Sequence, residues 1–435
     1  MKRILIGNLQ QMPSGQMVTI CGWLHSLRKQ KNMIFAVVRD YTGLVQLSYF
    51  RGDNQLNIEK ALEQLTVESA IIVTGELLTN EAVKLGGKEI KPETIKIVSL
   101  AESPLPLSDK SPLDTRLDWR FLDLRKEKQQ LIMRVQTVAE HAMRLFWQQE
   151  GFVEIHSPKL MGSSSESGSE LFRLPYFGGE AFLAQSPQFF KQMAMAAGLE
   201  RVFEIGPVFR ANKSHTVRHD TEFTSVDVEF SWIESHHEVM ELEERWLCFV
   251  IAYIKDKLGE QITNLFGVEV VVPQLPFPRV TMVEAQNIVA QRGHICERKD
   301  DLDPEGERQL SSYIMGKFGH QMVFVTDYPT EVRPFYHMRP THNPELTNSF
   351  DLLWKGLEVT TGAQREHRYD VLRQQAVDKG LELEPIRFYL DFFRYGMPPH
   401  GGYGFGLTRM LMVLLGLSNV REVTYVYRGV NRLTP

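Results

Sequence analysis

The sequence predicts an α+β protein, with a small five-stranded β-barrel at its N-terminus and a larger domain whose mainly antiparallel sheet is flanked by helices. Residues 17–98 contain five short apolar runs separated by polar and Gly-containing turns, a pattern typical of a closed barrel of the oligonucleotide-binding (OB) kind. The later residues mix strand-like runs with amphipathic helical runs, without the regular alternation of a parallel sheet. A small β-sandwich that binds no ligand is the alternative fold for residues 17–98.

The domain boundaries follow from composition. Prolines and serines are frequent in residues 103–114, as in a linker. From Leu131 to Phe146 apolar residues recur at helical spacing, and Gly151 follows as a C-terminal cap. We therefore expect an OB-fold domain at 1–103, a linker or hinge at 104–126, and the larger domain at 127–435.

Length and charge limit the possible functions. The chain has 435 residues, of which 43% are hydrophobic, and its formal net charge is -5. This acidic balance argues against a nonspecific nucleic-acid coat, so any polyanion must bind a local positive surface. Cys21, Cys248 and Cys296 are far apart and form no CxxC pair, which predicts neither a disulfide framework nor a zinc cluster. The N-terminus lacks the pattern of a signal peptide, and we expect a cytoplasmic protein without a membrane partner.

Basic side chains are concentrated in residues 207–223, PVFRANKSHTVRHDTEF, between two strand-like runs. They are Arg210, Lys213, His215, Arg218 and His219. A hairpin with a solvated, charged tip is one explanation. However, Arg210 ends an apolar strand, and Phe223 and Asp227 follow in alternation on the partner strand. An arginine held on the floor of a sheet is suited to binding a phosphate or a carboxylate.

Two acidic residues flank a second predicted hairpin. Asp351 and Glu358 lie on either side of a tight turn at Lys355 and Gly356. This turn can bring both carboxylates to one face, where hard oxygen ligands suit Mg²⁺ bound to a nucleotide phosphate. Two surface acids on neighbouring strands are the alternative.

A glycine run precedes the last apolar helix. It consists of Gly401, Gly402, Gly404 and Gly406, and Arg409 follows. Backbone without side-chain bulk can approach a flat or phosphorylated ligand closely. The run matches neither the dinucleotide fingerprint nor the P-loop, and a tightly packed corner is the alternative.

Taken together and in order, these stretches resemble the motifs of the class II aminoacyl-tRNA synthetases, within the aspartate, asparagine and lysine subgroup. EGFVEIHSPKL (150–160), the stretch from FRAN to RHDTEFTSVD (209–227) and GYGFGLTRM (402–410) are similar to the three class motifs. TRLDWRFLDLR (115–125) and the barrel are similar to the subgroup's own features. The resemblance covers essentially the full length, and the short segment between the second and third motifs resembles the compact archaeal or eukaryotic form.

The resemblance implies ATP-dependent attachment of L-aspartate to tRNA through an aspartyl-adenylate, in a catalytic domain of the class II kind. It implies that Arg210 and Arg409 are catalytic, that Phe223 stacks on adenine, and that Asp351 and Glu358 hold Mg²⁺. The implied ATP-binding residues are Arg210, Arg218, His219, Phe223, Glu358, Gly404, Gly406 and Arg409.

The run AQSPQFFKQ, residues 184–192, is similar to the form found in the aspartate enzymes. The implied aspartate-binding residues are Glu166, Gln188, Lys191, Asp227, Thr361 and Arg365. Two cations, Lys191 and Arg365, that face one side chain favour a carboxylate, because the neutral amide of asparagine would leave charge buried and unpaired. Glu166 belongs to a segment, 163–169, that resembles the loop which closes over the amino acid in the family.

In the barrel, the resemblance implies that His25, Arg28, Phe35 and Gln46 contact the anticodon, with Phe35 stacked on the middle base. For Phe35, a place in the barrel core is the alternative. We expect His25 beside the third anticodon base, where aspartate tRNA has C and asparagine tRNA has U. An imidazole can accept either base, so we hypothesise that both tRNA(Asp) and tRNA(Asn) are charged.

The chain departs from the family pattern at several positions. Asn212 and Thr408 stand where an acid is frequent, Ala363 where glycine is usual, and Tyr427 where proline is usual. These departures keep open one rival function, a paralogue that binds tRNA or an adenylate without charging tRNA. Asparagine charging is the other alternative, and Lys191 disfavours it. A homodimer, formed around Pro158, is also expected from the resemblance.

Overall fold

The computed structural model describes residues 2–53, 55–163, 170–213, 216–298 and 300–435. Tertiary contacts divide the chain into two compact units, Met1–Gln130 and Leu131–Pro435. The segment that the sequence predicts to be a linker is grouped with the barrel in the first unit. Among the described residues, no helix combines the length and the apolar character needed to cross a bilayer.

The first unit is built around a closed barrel. Its elements are β1 (Met17–Lys29), β2 (Met33–Asp40), β3 (Gly43–Phe50), α1 (Leu56–Gln64), β4 (Ala70–Thr79), β5 (Lys88–Ser99), α2 (Leu113–Asp118) and α3 (Arg120–Asp123). The strands are ordered β1-β2-β3-β5-β4, and β1 pairs with both β2 and β4. Alternate residues of each strand, such as Val18 and Ile20, fill the barrel core. The five-stranded OB prediction is confirmed.

The second unit contains a larger sheet, helices and a small three-stranded sheet. In chain order its elements are α4 (Glu127–Gln149), β6 (Val153–Glu154), β7 (Leu160–Met161), β8 (Arg173–Tyr176), β9 (Gly179–Leu183), α5 (Gln188–Ala196), β10 (Arg201–Phe209), β11 (Glu222–Ser231), α6 (His236–Phe266), β12 (Arg279–Thr281), α7 (Met282–Gln291), α8 (Pro304–Phe318), β13 (Met322–Thr326), β14 (Ser349–Trp354), β15 (Leu357–Arg365), α9 (Tyr369–Asp378), α10 (Arg387–Asp391), β16 (His400–Gly406), α11 (Leu407–Leu415) and α12 (Val420–Val423). Short 3₁₀ helices lie at Ile6–Gln11, Arg51–Asp53, Thr330–Val332 and Phe392–Tyr395.

The large sheet has eight strands in the order β12-β13-β14-β15-β16-β11-β10-β6. All neighbouring pairs are antiparallel except β12 with β13 and β10 with β6. The predicted α+β class with a mainly antiparallel sheet is therefore confirmed. The long helix α6 packs against β15 and β16. Its start is fixed by a capping box of Ser235 and Glu238, and Gly267 ends it in a left-handed conformation.

Both predicted hairpins are present. β10 and β11 pair in register, with Val208 opposite Phe223 and Glu204 opposite Asp227. β14 and β15 are joined by Lys355 and Gly356, both with positive φ, as a tight two-residue hairpin requires. These two hairpins and β16 form the central part of the sheet.

Candidate active site

A cavity of about 420 Å³ lies over the central strands of the large sheet. It is lined by most of the predicted ATP- and aspartate-binding residues: Gln188, Lys191, Arg210, Arg218, His219, Phe223, Asp227, Glu358, Thr361, Arg365, Gly404, Gly406 and Arg409. Asn212 and Arg333 line it as well. Glu166 and His215 lie outside the described residues. The sequence thus predicted residues that are far apart in the chain but share one cavity.

Arg210 lies where the β10–β11 hairpin begins to open. Its backbone N–H donates to Thr221 O at 2.9 Å, and its guanidinium lies 5.5 Å from the centre of the Phe223 ring. The side chain is only partly buried and lines the cavity. A cation beside an aromatic ring is an arrangement that can receive a phosphate next to a stacked base.

The other predicted cations of this hairpin differ from one another. Arg218 is ion-paired with Glu307 of α8 at 2.7 Å. Burial lowers the pKa of His219, and the charges of Arg409, Arg218 and Arg210 lower it further. His219 is therefore neutral at pH 7, which corrects its interpretation as a cation. Lys213 is not among the described residues that line the cavity.

Arg409, at the start of α11, bonds to the end of the neighbouring hairpin. Its Nη1 donates to the backbone oxygen of Glu358 at 2.8 Å and to the Glu358 carboxylate at 3.2 Å.

The glycines that precede Arg409 in the chain have separate roles. A Cβ at Gly402 would lie 2.0 Å from Val228 O, so close strand packing requires this glycine, whereas a Cβ at Gly404 would face the Asp227 carboxylate at 3.3 Å.

The two predicted metal ligands are not equivalent. Glu358 lines the cavity, whereas Asp351 is not among the described residues that do. Asp351 is buried and its carboxylate lies 2.7 Å from Arg333 Nη2. A buried carboxylate requires a charged partner, and Asp351 has one, so its role as a metal ligand stays a prediction. Arg333, which the sequence reading did not select, supplies that partner.

Two further carboxylates interact electrostatically with this pair. Burial raises the pKa of Glu307 to about 7, and the charge of Glu358 adds to the shift. Burial likewise raises the pKa of Asp301, with a contribution from Asp351. A divalent cation bound near these carboxylates would offset the repulsion between their negative charges. Carboxylate oxygens are the hard ligands that Mg²⁺ prefers, so the residues present fit Mg²⁺.

The predicted aspartate-binding cations share a buried partner. Lys191 Nζ lies 3.0 Å from Asp227 Oδ1 and 3.3 Å from Glu229 Oε2. Arg365 donates to both oxygens of Glu229, at 2.9 and 3.3 Å, and to His337 Nε2 at 3.0 Å. All of these side chains are buried. The pocket therefore contains balanced charges, which corrects the expectation of two uncompensated cations.

Glu229 was missed by the sequence reading, although a signal was present. It lies two residues after Asp227 on β11, and alternate residues of a strand share one face. Burial raises the pKa of Glu229, but the attraction of Arg365 and Lys191 outweighs this effect and lowers the pKa below its ordinary value. Glu229 is thus ionised at pH 7.

The predicted anticodon residues lie on the barrel. Arg28 is opposite Phe35 in the β1–β2 ladder, with its guanidinium 5.3 Å from the ring centre. Phe35 is half-buried and is not part of the described barrel core, so the alternative of a core position is not supported. Gln46 on β3 donates to Glu89 at 3.1 Å. These side chains expose aromatic and polar groups suited to unstacked bases.

His25 is placed by a bulge. The β1–β2 register shifts between Leu24 and Ser26, so His25 has no opposite residue and is exposed. Its Nδ1 lies 3.1 Å from Arg39 Nη1, and Arg39 is ion-paired with Glu68 at 2.7 Å. Burial of part of the ring and the charge of Arg39 lower the pKa of His25. Since an arginine only donates, Nδ1 accepts and the proton of the neutral ring is on Nε2.

The chain is similar to known proteins over its whole length. Residues 112–427 match the family model of class II tRNA synthetases (D, K and N), and residues 18–98 match the OB-fold nucleic acid binding domain. It is 42% identical to the aspartate–tRNA(Asp) ligase of Pyrococcus abyssi, covering 97% of each chain. It is also 42% identical to the aspartate–tRNA(Asp/Asn) ligase of Aeropyrum pernix, covering 99% of this chain and 98% of that protein.

Solved structures agree with this assignment. Asparaginyl-tRNA synthetase from Pyrococcus horikoshii, complexed with asparaginyl-adenylate, superposes with a TM-score of 0.92 at 30% identity and 100% coverage of both chains. Aspartyl tRNA synthetase from Entamoeba histolytica gives a TM-score of 0.89 at 30% identity, covering 100% of this chain and 93% of that one. On the evidence of the matched family model and these full-length relatives, the chain belongs to the class II tRNA synthetases of the D, K and N group.

Proposed function

We propose that this synthetase attaches L-aspartate to tRNA in an ATP-dependent reaction through an aspartyl-adenylate. The observation that carries the proposal is the buried pair of cations Lys191 and Arg365, both of which line the cavity. These donors favour a side chain that only accepts hydrogen bonds, as a carboxylate does. Full-length relatives named aspartate–tRNA ligases support the same substrate.

The chemistry is attack of the aspartate α-carboxylate on the α-phosphorus of ATP, with release of pyrophosphate. Arg210 neutralises charge on both reacting groups, and Phe223 stacks on the adenine, which orients the nucleotide. Arg409 covers the other side of the nucleotide. Glu358, which lines the cavity, would hold Mg²⁺, with Asp351 as a second ligand if the metal replaces Arg333 as its charged partner, and the ion would neutralise charge on the phosphates.

The tRNA acceptors proposed are both tRNA(Asp) and tRNA(Asn). A fixed Nε2–H donor on His25 can bind a pyrimidine carbonyl oxygen, and cytosine and uracil both carry one at O2. The same contact therefore serves either third anticodon base. Some full-length relatives are named Asp/Asn ligases, which supports this relaxed choice.

A cytoplasmic homodimer is also proposed. β6 is the edge strand of the large sheet, and Val153 on it and Leu160 on β7 are exposed by 46% and 49%. Exposed apolar residues at a sheet edge suit an isologous interface between two copies.

Aspartate-dependent exchange of labelled pyrophosphate into ATP tests the amino-acid assignment, with asparagine and lysine as parallel substrates. We expect exchange with aspartate alone. Exchange with asparagine alone would instead establish the second candidate, asparagine charging, for which the 0.92 TM-score to an asparaginyl enzyme is the motivating observation. No exchange with any of the three would support a non-charging paralogue, for which Asn212 in the cavity wall is the motivating residue.

A further inference from the structure

A chain of buried hydrogen bonds runs from β16 through α5 to the cavity wall. His400 Nδ1 lies 2.8 Å from Pro398 O, and His400 Nε2 lies 2.8 Å from Gln192 Nε2. Gln192 Oε1 lies 2.8 Å from Gln188 Nε2. Gln188 and Gln192 are one helical turn apart on α5, and so are on the same face. His400 and Gln192 are fully buried, and Gln188 lines the cavity.

The direction of every bond in this chain follows from its first member. A backbone carbonyl only accepts, so His400 Nδ1 carries a proton. Burial lowers the pKa of His400 to about 4, so the ring is neutral and its Nε2 accepts. Gln192 must therefore direct its amide nitrogen to His400 and its oxygen to Gln188.

The orientation of Gln188 is then determined as well. Gln188 donates from its amide nitrogen to Gln192, which leaves its oxygen as the free polar atom of the side chain. Within the described part of the chain, that oxygen receives no hydrogen bond. Tyr389, which is buried, also donates to Gln192 Oε1, at 2.9 Å, and so reinforces the same orientation.

Aspartate offers only one hydrogen-bond donor to such an acceptor. Its two carboxylates accept, and its α-ammonium is its sole donor group. The cations Lys191 and Arg365 also line the cavity, and their charge suits the carboxylates. The free oxygen of Gln188 thus matches the ammonium and no other group of the substrate.

We propose that His400 and Gln192 are positioning residues that hold the Gln188 oxygen toward the cavity, where it accepts a hydrogen bond from the α-ammonium of the amino acid. The inference rests on the proposed aspartate substrate. It adds two residues that the sequence reading did not select, neither of which contacts the substrate. Because hydrogen bonds in such a chain polarise one another, disrupting a remote link weakens the terminal contact.

The test compares the affinities of L-aspartate and succinate, which lacks the ammonium group, measured by calorimetry. Gln192→Met removes both hydrogen-bonding atoms at nearly constant volume. We expect it to weaken aspartate binding about tenfold, the size of one hydrogen bond to a charged group, and to leave succinate binding unchanged. An equal loss for both ligands, or no loss for either, would overturn the inference.

Two further variants separate orientation from general packing. Gln192→Glu keeps an acceptor toward Gln188, since His400 can take up a proton, and should retain most of the preference for aspartate over succinate. Tyr389→Phe removes one hydrogen bond to Gln192 but leaves its orientation to His400, and should also retain the preference. Loss of the preference in both variants would contradict the proposed role of amide orientation.

A measurement on the unaltered protein covers the case in which Gln192→Met does not fold. Nitrogen-15 NMR of the His400 ring should show the neutral tautomer with the proton on Nδ1, and a proton on Nε2 would refute the relay. If the unaltered protein binds succinate but shows no adenylation with aspartate, the proposed function fails, and this result is recognised without any variant.

Discussion

Arg365, which lines the cavity, forms a buried ion pair with Glu229 through two hydrogen bonds, 2.9 Å from Nε to Oε1 and 3.3 Å from Nη2 to Oε2. The same carboxylate lies 3.3 Å from Lys191 Nζ. The amino-acid end of the site is therefore a network of fixed charges. Selectivity for a carboxylate depends on the N–H directions that this network sets, because the net charge alone is close to balanced.

Replacing Glu229 with glutamine should destabilise the fold and the site together. The variant leaves two cations buried without their shared counter-charge, and breaking a buried ion pair of this kind costs about 3–5 kcal/mol. We expect this loss in the free energy of unfolding at pH 7, measured with denaturant, and a loss of aspartate-dependent exchange. Glu150→Gln, which breaks the exposed pair with Arg245, should change stability by less than about 1 kcal/mol. Equal effects of the two changes would be inconsistent with the network.

The folding stability should depend on pH through Glu243. Burial raises its pKa to about 8, and its carboxyl accepts a hydrogen bond from Thr360 behind the cavity floor. Between pH 4.5, its ordinary pKa, and pH 8, the folded state holds a proton that the unfolded state has released. The free energy of unfolding therefore falls as pH rises, by up to about 1.4 kcal/mol per pH unit from this group.

Glu243→Gln should remove this contribution, because the amide stays neutral and can still accept from Thr360. Denaturant unfolding of both proteins across the range from pH 5 to pH 8 measures the difference in slope. The exposed Glu241 of the same helix provides the control, and Glu241→Gln should leave the slope unchanged. An unchanged slope in Glu243→Gln would show that Glu243 is ionised in the folded protein.

Arg210→Lys should reduce kcat/KM for pyrophosphate exchange by about 100-fold or more. A lysine keeps the charge but loses the planar group that can contact a phosphate and a carboxylate at once. Arg201→Lys, an exposed change at the other end of β10, is the matched control and should have little effect. If Arg210→Lys retained full exchange activity, Arg210 would have no role in the reaction.

His25→Phe should lower kcat/KM for charging of GUC and GUU transcripts by the same factor, about tenfold. The change removes one donor that both third bases use, so the ratio between the transcripts should stay constant. Aminoacylation kinetics on both transcripts measure this ratio. A strong preference for one transcript in the variant would indicate that His25 contacts an atom in which C and U differ.

The sequence predicted features that depend on local pattern or on motif order. Alternation and turn residues predicted the five barrel strands and the hairpins around Arg210 and around Lys355, because these signals lie within a few residues of each other. It did not predict which charges become paired. Glu229, Arg333 and the neutral state of His219 depend on burial and on neighbours that only the assembled sheet brings together.

The most direct test of the account is aminoacylation with labelled aspartate on two transcripts that differ only in carrying a GUC or a GUU anticodon. The account predicts charging of both at similar rates. Charging of GUC alone would contradict the relaxed choice of tRNA and the role given to His25. Charging of neither transcript, with an active synthetase as a control, would contradict the proposal that this chain attaches aspartate to tRNA.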